Sequence, residues 1–399
     1  MSVGTSGPII GILTMERTPQ NSPRPYYREM TALGARLGLL VYAFAPRDVD
    51  WQRGVVRGFR ALHPHGSWDR GPFPLPSVLY DQTKSRALAA LPACVELKRR
   101  LARRGTIMLG PGFLSKSQVS TLLREAPELQ EHLPETSPAT PRNVAALLGR
   151  HPTIFIKHAR GTLGFNVVRV RRLSGGGYLW EVARGYRRTT RLRLPTSASL
   201  SRRVAIAASR GGWLAQQGID LCKYQGRAAD IRLLMQKDER GKWQLTVGFA
   251  KVAAPGQVVT NIGAGGSLHR LDDLLRHAAR RHGWQADAAE LTERLLAVGL
   301  LTAKALDRAI GPLAELGIDL GLDAHGKVWL IEANGKYSRA VFSRATRQQS
   351  IRRVLGYSRF LYLQRRQSGR GQQAGRSSEG DTANTADQAQ VVELVGTAE

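Results

Sequence analysis

Two short stretches of this 399-residue sequence hold side chains whose types and spacing suit work on phosphate. In the first, the β-rich run Thr153–Ile156 ends in Lys157, a small turn spans Gly161, Thr162 and Gly164, and a second β-rich run begins at Val167. Glycines let backbone N–H groups approach an anion, and the Thr162 hydroxyl adds a donor. Lys157 would reach the same anion as a point charge. A Walker A loop is excluded, because G-x-x-x-x-G-K-[ST] is absent, and an ordinary hairpin with a surface lysine is the plain alternative. The second stretch, Gly317 to Asn334, reads as two strands around a tight turn at His325-Gly326. A two-residue turn sets Asp319 opposite Glu332, with Asn334 two residues on and therefore on the same face. Two carboxylates and an amide oxygen on adjacent strands form a hard-oxygen site suited to Mg²⁺ shared with phosphates. A three-residue loop with a bulge at Gly326 would shift that register by one. Between the stretches lie Gln216-Gln217-Gly218-Ile219, able to offer backbone groups to a purine edge, and Arg232. An arginine inside a β-rich run needs an anion, so a phosphate partner is expected there. A further Gly-rich loop around Thr260-Asn261 supplies an amide.

The elements that must position these groups begin with an α/β region. Apolar strands are expected at Ile9–Thr14, Leu39–Ala45, Val78–Tyr80 and Thr106–Leu109, with helices over Tyr26–Leu37 and Ser85–Arg104. Such alternation predicts an open, mostly parallel sheet. No G-x-G-x-x-G follows the first strand, which argues against a dinucleotide site there. After a Pro-rich linker, Thr140 is placed to cap a helix with Pro141 at its first position. Further helices are expected at Leu200–Arg210, Asp287–Ala309 and Ser343–Arg365, and a disordered tail from Gln367, where aromatics cease.

Composition sets the outer limits. Two cysteines, Cys94 and Cys222, make neither a disulfide framework nor a four-ligand zinc site, so a reduced, cytoplasmic setting is expected. No apolar run reaches the roughly 20 residues that cross a bilayer, and no membrane partner is expected. The net charge is +28, from 48 Arg and 11 Lys against 31 acids. Scattered positive charge attracts polyanions non-specifically, but no arginine block with interleaved aromatics points to nucleic acid as a partner.

Taken in order, the strand–Lys–Gly turn, the hinge strand, the internal Arg, the Thr-Asn loop and the terminal Asp…Glu-x-Asn resemble the ATP-grasp superfamily. Within it the chain resembles the YheC/YheD family of endospore coat-associated proteins, through Gly11-Ile12-Leu13-Thr14, Tyr80-Asp81, Leu114-Ser115-Lys116, Leu133-Pro134-Glu135-Thr136 and the motifs above. The resemblance implies an α/β N-terminal (pre-ATP-grasp) domain over 1–112, a two-lobed α+β grasp domain over 113–345, a C-terminal helix over 346–366 and the tail over 367–399. It implies ATP and Mg²⁺ as cofactors. Lys116 and Lys157 would contact the phosphates under a loop of Gly161, Thr162 and Gly164, and Gln217 and Ile219 would meet adenine. Arg232 and Asn261 would lie near the transferred phosphate, and Asp319, Glu332 and Asn334 would ligate metal. The implied activity is a carboxylate–amine (or thiol) ligase working through an acyl phosphate. The alternative is a spore coat-associated protein that binds ATP without ligase turnover. The chain departs from the family at His158, at Phe165-Asn166 and at Gly335-Lys336-Tyr337-Ser338, where a proline, a glycine and a small-Lys-Pro continuation are usual.

Overall fold

Short, wholly apolar runs at the start of the chain pack side by side as parallel strands, buried on both faces. In the computed structural model seven strands make this first sheet: β1 (Ile9–Leu13), β2 (Leu40–Phe44), β3 (Val49–Asp50), β4 (Val55–Arg60), β5 (Asp69–Pro74), β6 (Val78–Asp81) and β7 (Ile107–Leu109). Their order is β3-β4-β2-β1-β6-β7, with β5 added on β4. The pairs β2/β1, β1/β6 and β6/β7 are parallel, and the added hairpin is antiparallel. The structure describes residues 7–15, 25–83, 85–110, 116–158, 167–184, 189–209, 211–257, 259–260, 262, 265–337, 339 and 342–376.

Helix α1 (Pro25–Arg36) covers one face of this sheet. The expected helix over Ser85–Arg104 is instead two, α2 (Arg86–Ala89) and α3 (Pro92–Arg103). Pro92 explains the break, because it lacks an N–H and is tolerated at the first helical position but not inside. Leu97 and Leu101 of α3 pack on the face that carries Leu13, Tyr42 and Phe44.

The second sheet contains β8 (Thr136–Pro138), β9 (Thr153–His158), β10 (Val168–Arg172), β11 (Tyr178–Ala183), β12 (Thr189–Leu194) and β13 (Trp213–Gln217), in the order β12-β11-β10-β9-β13-β8. Alternation decides its faces. Val168 and Val170 turn into a core under α5 (Pro141–Arg150) and α6 (Ser197–Ala208), while Arg169 and Arg171 point away. The preceding α4 spans Lys116–Arg124. Thr140 caps α5 as expected, accepting from Asn143 N at 3.2 Å, with Pro141 next.

The third sheet comprises β14 (Lys223–Tyr224), β15 (Arg227–Lys237), β16 (Trp243–Val252), β17 (Ser267–Arg270), β18 (Glu315–Leu322) and β19 (Val328–Asn334), ordered β17-β16-β15-β18-β19 with β14 on β15. Helices α7 (Leu271–His282) and α8 (Ala288–Ile310) cover one face. In α8 the buried Leu291, Leu295, Val298, Thr302 and Leu306 recur at helical spacing, against Ile231, Leu233 and Ile318. The final helix α9 (Arg344–Arg376) runs past the expected boundary at Arg365, and residues 377–399 lie outside the described residues. Ile351, Val354 and Leu355 of α9 close the α1 face of the first sheet, against Ile10, Ile12 and Tyr80.

Candidate active site

The hairpin of β18 and β19 is built by two one-residue shifts that cancel. Its turn has three residues, not two: Asp323 N donates to Lys327 O and Gly326 N to Asp323 O, both at 3.1 Å. Gly326 sits at φ +75°, the left-handed position such a loop requires. The Asp323 carboxylate braces it, accepting from His325 N at 2.9 Å, Lys327 N at 3.0 Å and Trp329 Nε1 at 2.9 Å. The pairs nearest the turn are Leu322–Val328, Gly321–Trp329 and Leu320–Leu330. A bulge at Ile331 then restores Asp319 opposite Glu332 and Gly317 opposite Asn334. The bulge is what aims the carboxylates. Val328 and Leu330 point into the core, so strict alternation would bury Glu332 and Asn334 beside them. The extra residue sends Ala333 inward instead and leaves Glu332 and Asn334 on the face of Asp319.

That face carries one continuous row of charges. Arg232 is paired with Asp319 across β15/β18, and Asp230 with Lys251 across β15/β16. Arg232 clasps Asp319 with two parallel bonds, Nε to Oδ1 and Nη2 to Oδ2, the latter 2.7 Å. Lys251 Nζ lies 3.1 Å from Asp319 Oδ1 and 3.0 Å from Asp230 Oδ1, and the Thr260 hydroxyl donates to Asp230 Oδ2. Burial alone would raise Asp319, but Arg232 and Lys251 outweigh it and hold the carboxyl well below the usual carboxylate range. Asp230 goes the other way: burial, with Asp319 nearby, raises it despite Lys251. Burial disfavours the Lys251 cation, yet the two carboxylates keep its pKa above the ordinary lysine value. The part-buried Arg232, for which the sequence predicts a phosphate partner, is engaged here by Asp319 of this chain.

The second sheet supplies the opposite wall. Lys157 Nζ donates to Gln216 Oε1 at 2.7 Å, and Gln216 Nε2 donates to Thr136 Oγ1 at 2.9 Å. A cavity of about 220 Å³ opens between this group and β19, with Lys157, Gln216 and Thr136 on one side and Ile331, Glu332 and Ala333 on the other. Gln217 does not line it. Its side-chain Oε1 accepts from Glu135 N at 3.1 Å and its own N donates to Glu135 O at 2.8 Å, which ties β13 to β8. Ile219 follows that strand, half-buried and outside the cavity lining. Lys116 is the first residue of α4, whose Ser120 and Leu123 do line the cavity. Gly161, Thr162, Gly164 and Asn261 lie outside the described residues.

A metal held here would meet hard oxygen donors only. Among the described residues no three His, Cys, Asp or Glu cluster, and the oxygen donors that share this face of β18 and β19 are the Asp319 and Glu332 carboxylates and the Asn334 amide. Asp319 Oδ2 accepts one bond from Arg232, leaving a lone pair, since each carboxylate oxygen accepts two. The donors fit an ion such as Mg²⁺, which keeps several waters and shares its shell with phosphate oxygens. Sequence reading missed Lys251, Asp230 and Gln216. The signal for Lys251 was present: one lysine inside Phe249-Ala250-Lys251-Val252-Ala253, in a chain with 11 lysines. For Gln216 the signal was alternation, since Leu214 pairs with Lys157 and Gln216 lies two residues on, on the same face.

Two antiparallel sheets facing each other across a cavity, behind an open parallel sheet, define an ATP-grasp protein. The chain belongs to the YheC/D-like ATP-grasp family, whose model matches residues 105–361. It is 28% identical over 347 residues to the endospore coat-associated protein YheD of Bacillus subtilis (strain 168), covering 84% of this chain and 74% of that one. To YheC of the same strain, also called endospore coat-associated, it is 21% identical, covering 85% of this chain and 91% of that one. Among solved structures it is similar in fold to the D-cycloserine synthetase DcsG, at a TM-score of 0.50 and 14% identity, over 88% of this chain and 99% of that one. No helix among the described residues is long and apolar enough to cross a membrane.

Proposed function

We propose that the cavity between the second and third sheets takes Mg-ATP and that the protein is an ATP-dependent carboxylate–amine (or thiol) ligase. The observation that carries this reading is the convergence of Lys157 and Glu332, from different sheets, on one cavity. Lys157 and Lys116 would hold the phosphates under the loop of Gly161, Thr162 and Gly164, while the strand from Gln217 to Ile219 would lie along adenine. Asp319, Glu332 and Asn334 would hold Mg²⁺, which supplies positive charge to screen the phosphate oxygens. Arg232 and Lys251 hold Asp319 ionised, and with Asn261 they would place donors near the transferred phosphoryl group. In the reaction a substrate carboxylate oxygen bonds to the γ-phosphorus as the bond to ADP breaks. The amine then attacks the acyl carbon, phosphate leaves, and the amine proton passes to solvent or base.

A second reading, ATP binding without turnover in a spore coat-associated protein, draws on two facts. Asp319 is already engaged by Arg232 and Lys251, and both Bacillus relatives carry the coat-associated name. A screen of paired carboxylates and amines for ADP release separates the two. Release that needs both substrates supports the ligase, whereas a Mg-ATP-dependent rise in melting temperature with no release from any pair supports the binding protein. Absence of that rise at millimolar Mg-ATP would sink both.

A further inference from the structure

The arginine surplus, scattered in sequence, is gathered by the fold. Helix α9 holds nine arginines and neither an acid nor a lysine in its 33 residues. It crosses β7 so that Arg365 Nη1 donates to Gly105 O at 2.7 Å, directly after the C-terminal end of α3. Arg103 at the end of α3, Arg104 that caps it, and Arg365 and Arg366 of α9, all exposed, thereby share one stretch of surface. Arg359 and Arg352 continue it along α9 at seven-residue steps, about 10 Å apart each. Both are exposed and, among the described residues, form no ion pair.

How these guanidinium groups are held sets them apart. Several exposed arginines elsewhere on the surface sit against carboxylates, as in Arg150–Glu135, Arg276–Asp272 and Arg294–Glu290. In this patch the partners are neutral. Arg365 bonds a carbonyl, Arg104 lies 5.7 Å over the Trp51 ring, and Arg366 lies 5.8 Å over the Tyr362 ring. Such partners fix the orientation of a guanidinium without cancelling its charge. The exposed large apolar residue on α9 is Leu363 alone, too little to enter a bilayer. Arginine forks match phosphate oxygens in pairs, a contact that carries no sequence information.

We propose that the surface formed by the C-terminal end of α3 and the turns of α9 around Arg365 binds the phosphodiester backbone of nucleic acid without regard to sequence. The inference is independent of the nucleotide cavity. The test is fluorescence anisotropy with two unrelated 20-base-pair duplexes over a series of salt concentrations, using the full chain. Wild type should bind both alike, with a steep fall of log affinity against log salt. The quadruple variant Arg103→Ala, Arg104→Ala, Arg365→Ala, Arg366→Ala should flatten that slope by about 3–4, roughly one for each phosphate no longer neutralised. The double variant Arg103→Ala, Arg104→Ala, which leaves α9 intact, should flatten it by about 2. A control that removes as many exposed arginines elsewhere, Arg36→Ala, Arg53→Ala, Arg57→Ala, Arg281→Ala, should flatten it by less than about 1. Equal flattening by quadruple variant and control would reduce the effect to net charge and overturn the proposal. So would failure of the wild type to bind duplex at low salt, or binding to phosphatidylserine vesicles in its place.

Discussion

Two buried charge networks cross this molecule, and they end differently. One joins the first sheet to the third. There Lys336 Nζ reaches Asp81 Oδ1 at 2.9 Å and Thr83 Oγ1 at 3.0 Å, while Glu315 accepts from Tyr80 at 2.7 Å, from Tyr337 at 2.6 Å and from Arg339. Arg339 lies between the Tyr26 and Tyr337 rings, at 4.5 and 4.7 Å. These charges are answered within the chain, and the cavity that Tyr80, Asp81, Glu315 and Lys336 line is small, about 20 Å³. The cleft network has the same ingredients, Asp319 with Arg232 and Lys251, but its last carboxylate, Glu332, stands at the wall of a cavity. A closed set of charges makes a joint. A set whose last carboxylate faces a cavity of about 220 Å³ makes a candidate site.

The largest effects should separate the two by kind. Asp319→Asn and Glu315→Gln each remove a buried anion facing cations and should each cost about 3–5 kcal/mol in chemical denaturation. Only Asp319→Asn should also abolish the rise in melting temperature on adding Mg-ATP. If both variants keep that rise, or both lose it, the division between joint and site fails. A smaller effect is expected from Lys157→Ala. It should weaken ATP binding by about 10- to 100-fold, the loss of one or two charge-assisted bonds, measured by calorimetry. Its unfolding free energy should change by less than about 1 kcal/mol, since its bond to Gln216 is to a neutral acceptor.

The smallest effect concerns acid. Burial would raise Asp81 and Glu315, but Lys336 and Arg339 overcome it and lower both. Groups depressed in this way add stability that is full above the unfolded carboxylate pKa near 4 and is lost as pH falls through the folded value. Asp230, raised, has the opposite sign. Melting temperatures between about pH 3 and 6 should therefore show a flatter acid limb for Glu315→Gln and a steeper one for Asp230→Asn. Matching slopes would mean that the two networks do not differ in their protonation.

Much of this was legible in the sequence because it is local. The parallel strands are continuous apolar runs, Thr140-Pro141 is a cap followed by proline, and the hairpin carries its carboxylates at spacings set by the pleat. The Asp319–Glu332 pairing was foreseen from a two-residue turn, yet it arises from a three-residue turn and a bulge at Ile331. No residue type announces that bulge; burial of Val328 and Leu330 on the other face demands it. The joint was not legible at all. Lys336 and Asp81 stand 255 residues apart, and although Tyr80-Asp81 and Gly335-Lys336 each draw attention, neither stretch points to the other. Lys251 escaped notice because its meaning depends on strand partners, Asp230 beside it and Asp319 one strand further.

The placement of α9 also imposes an order in time. Residues from both ends of the chain, α1 and α9, cover one face of the first sheet. During synthesis β1, β2, β6 and β7 are all made by Leu109, while Ile351, Val354 and Leu355 come about 250 residues later. At roughly 5–20 residues per second, that face waits some 10–50 s for its cover. For that interval the nascent chain displays Ile10, Ile12, Val78 and Tyr80 without their α9 neighbours. Such a surface is one that a chaperone would hold until the last helix arrives.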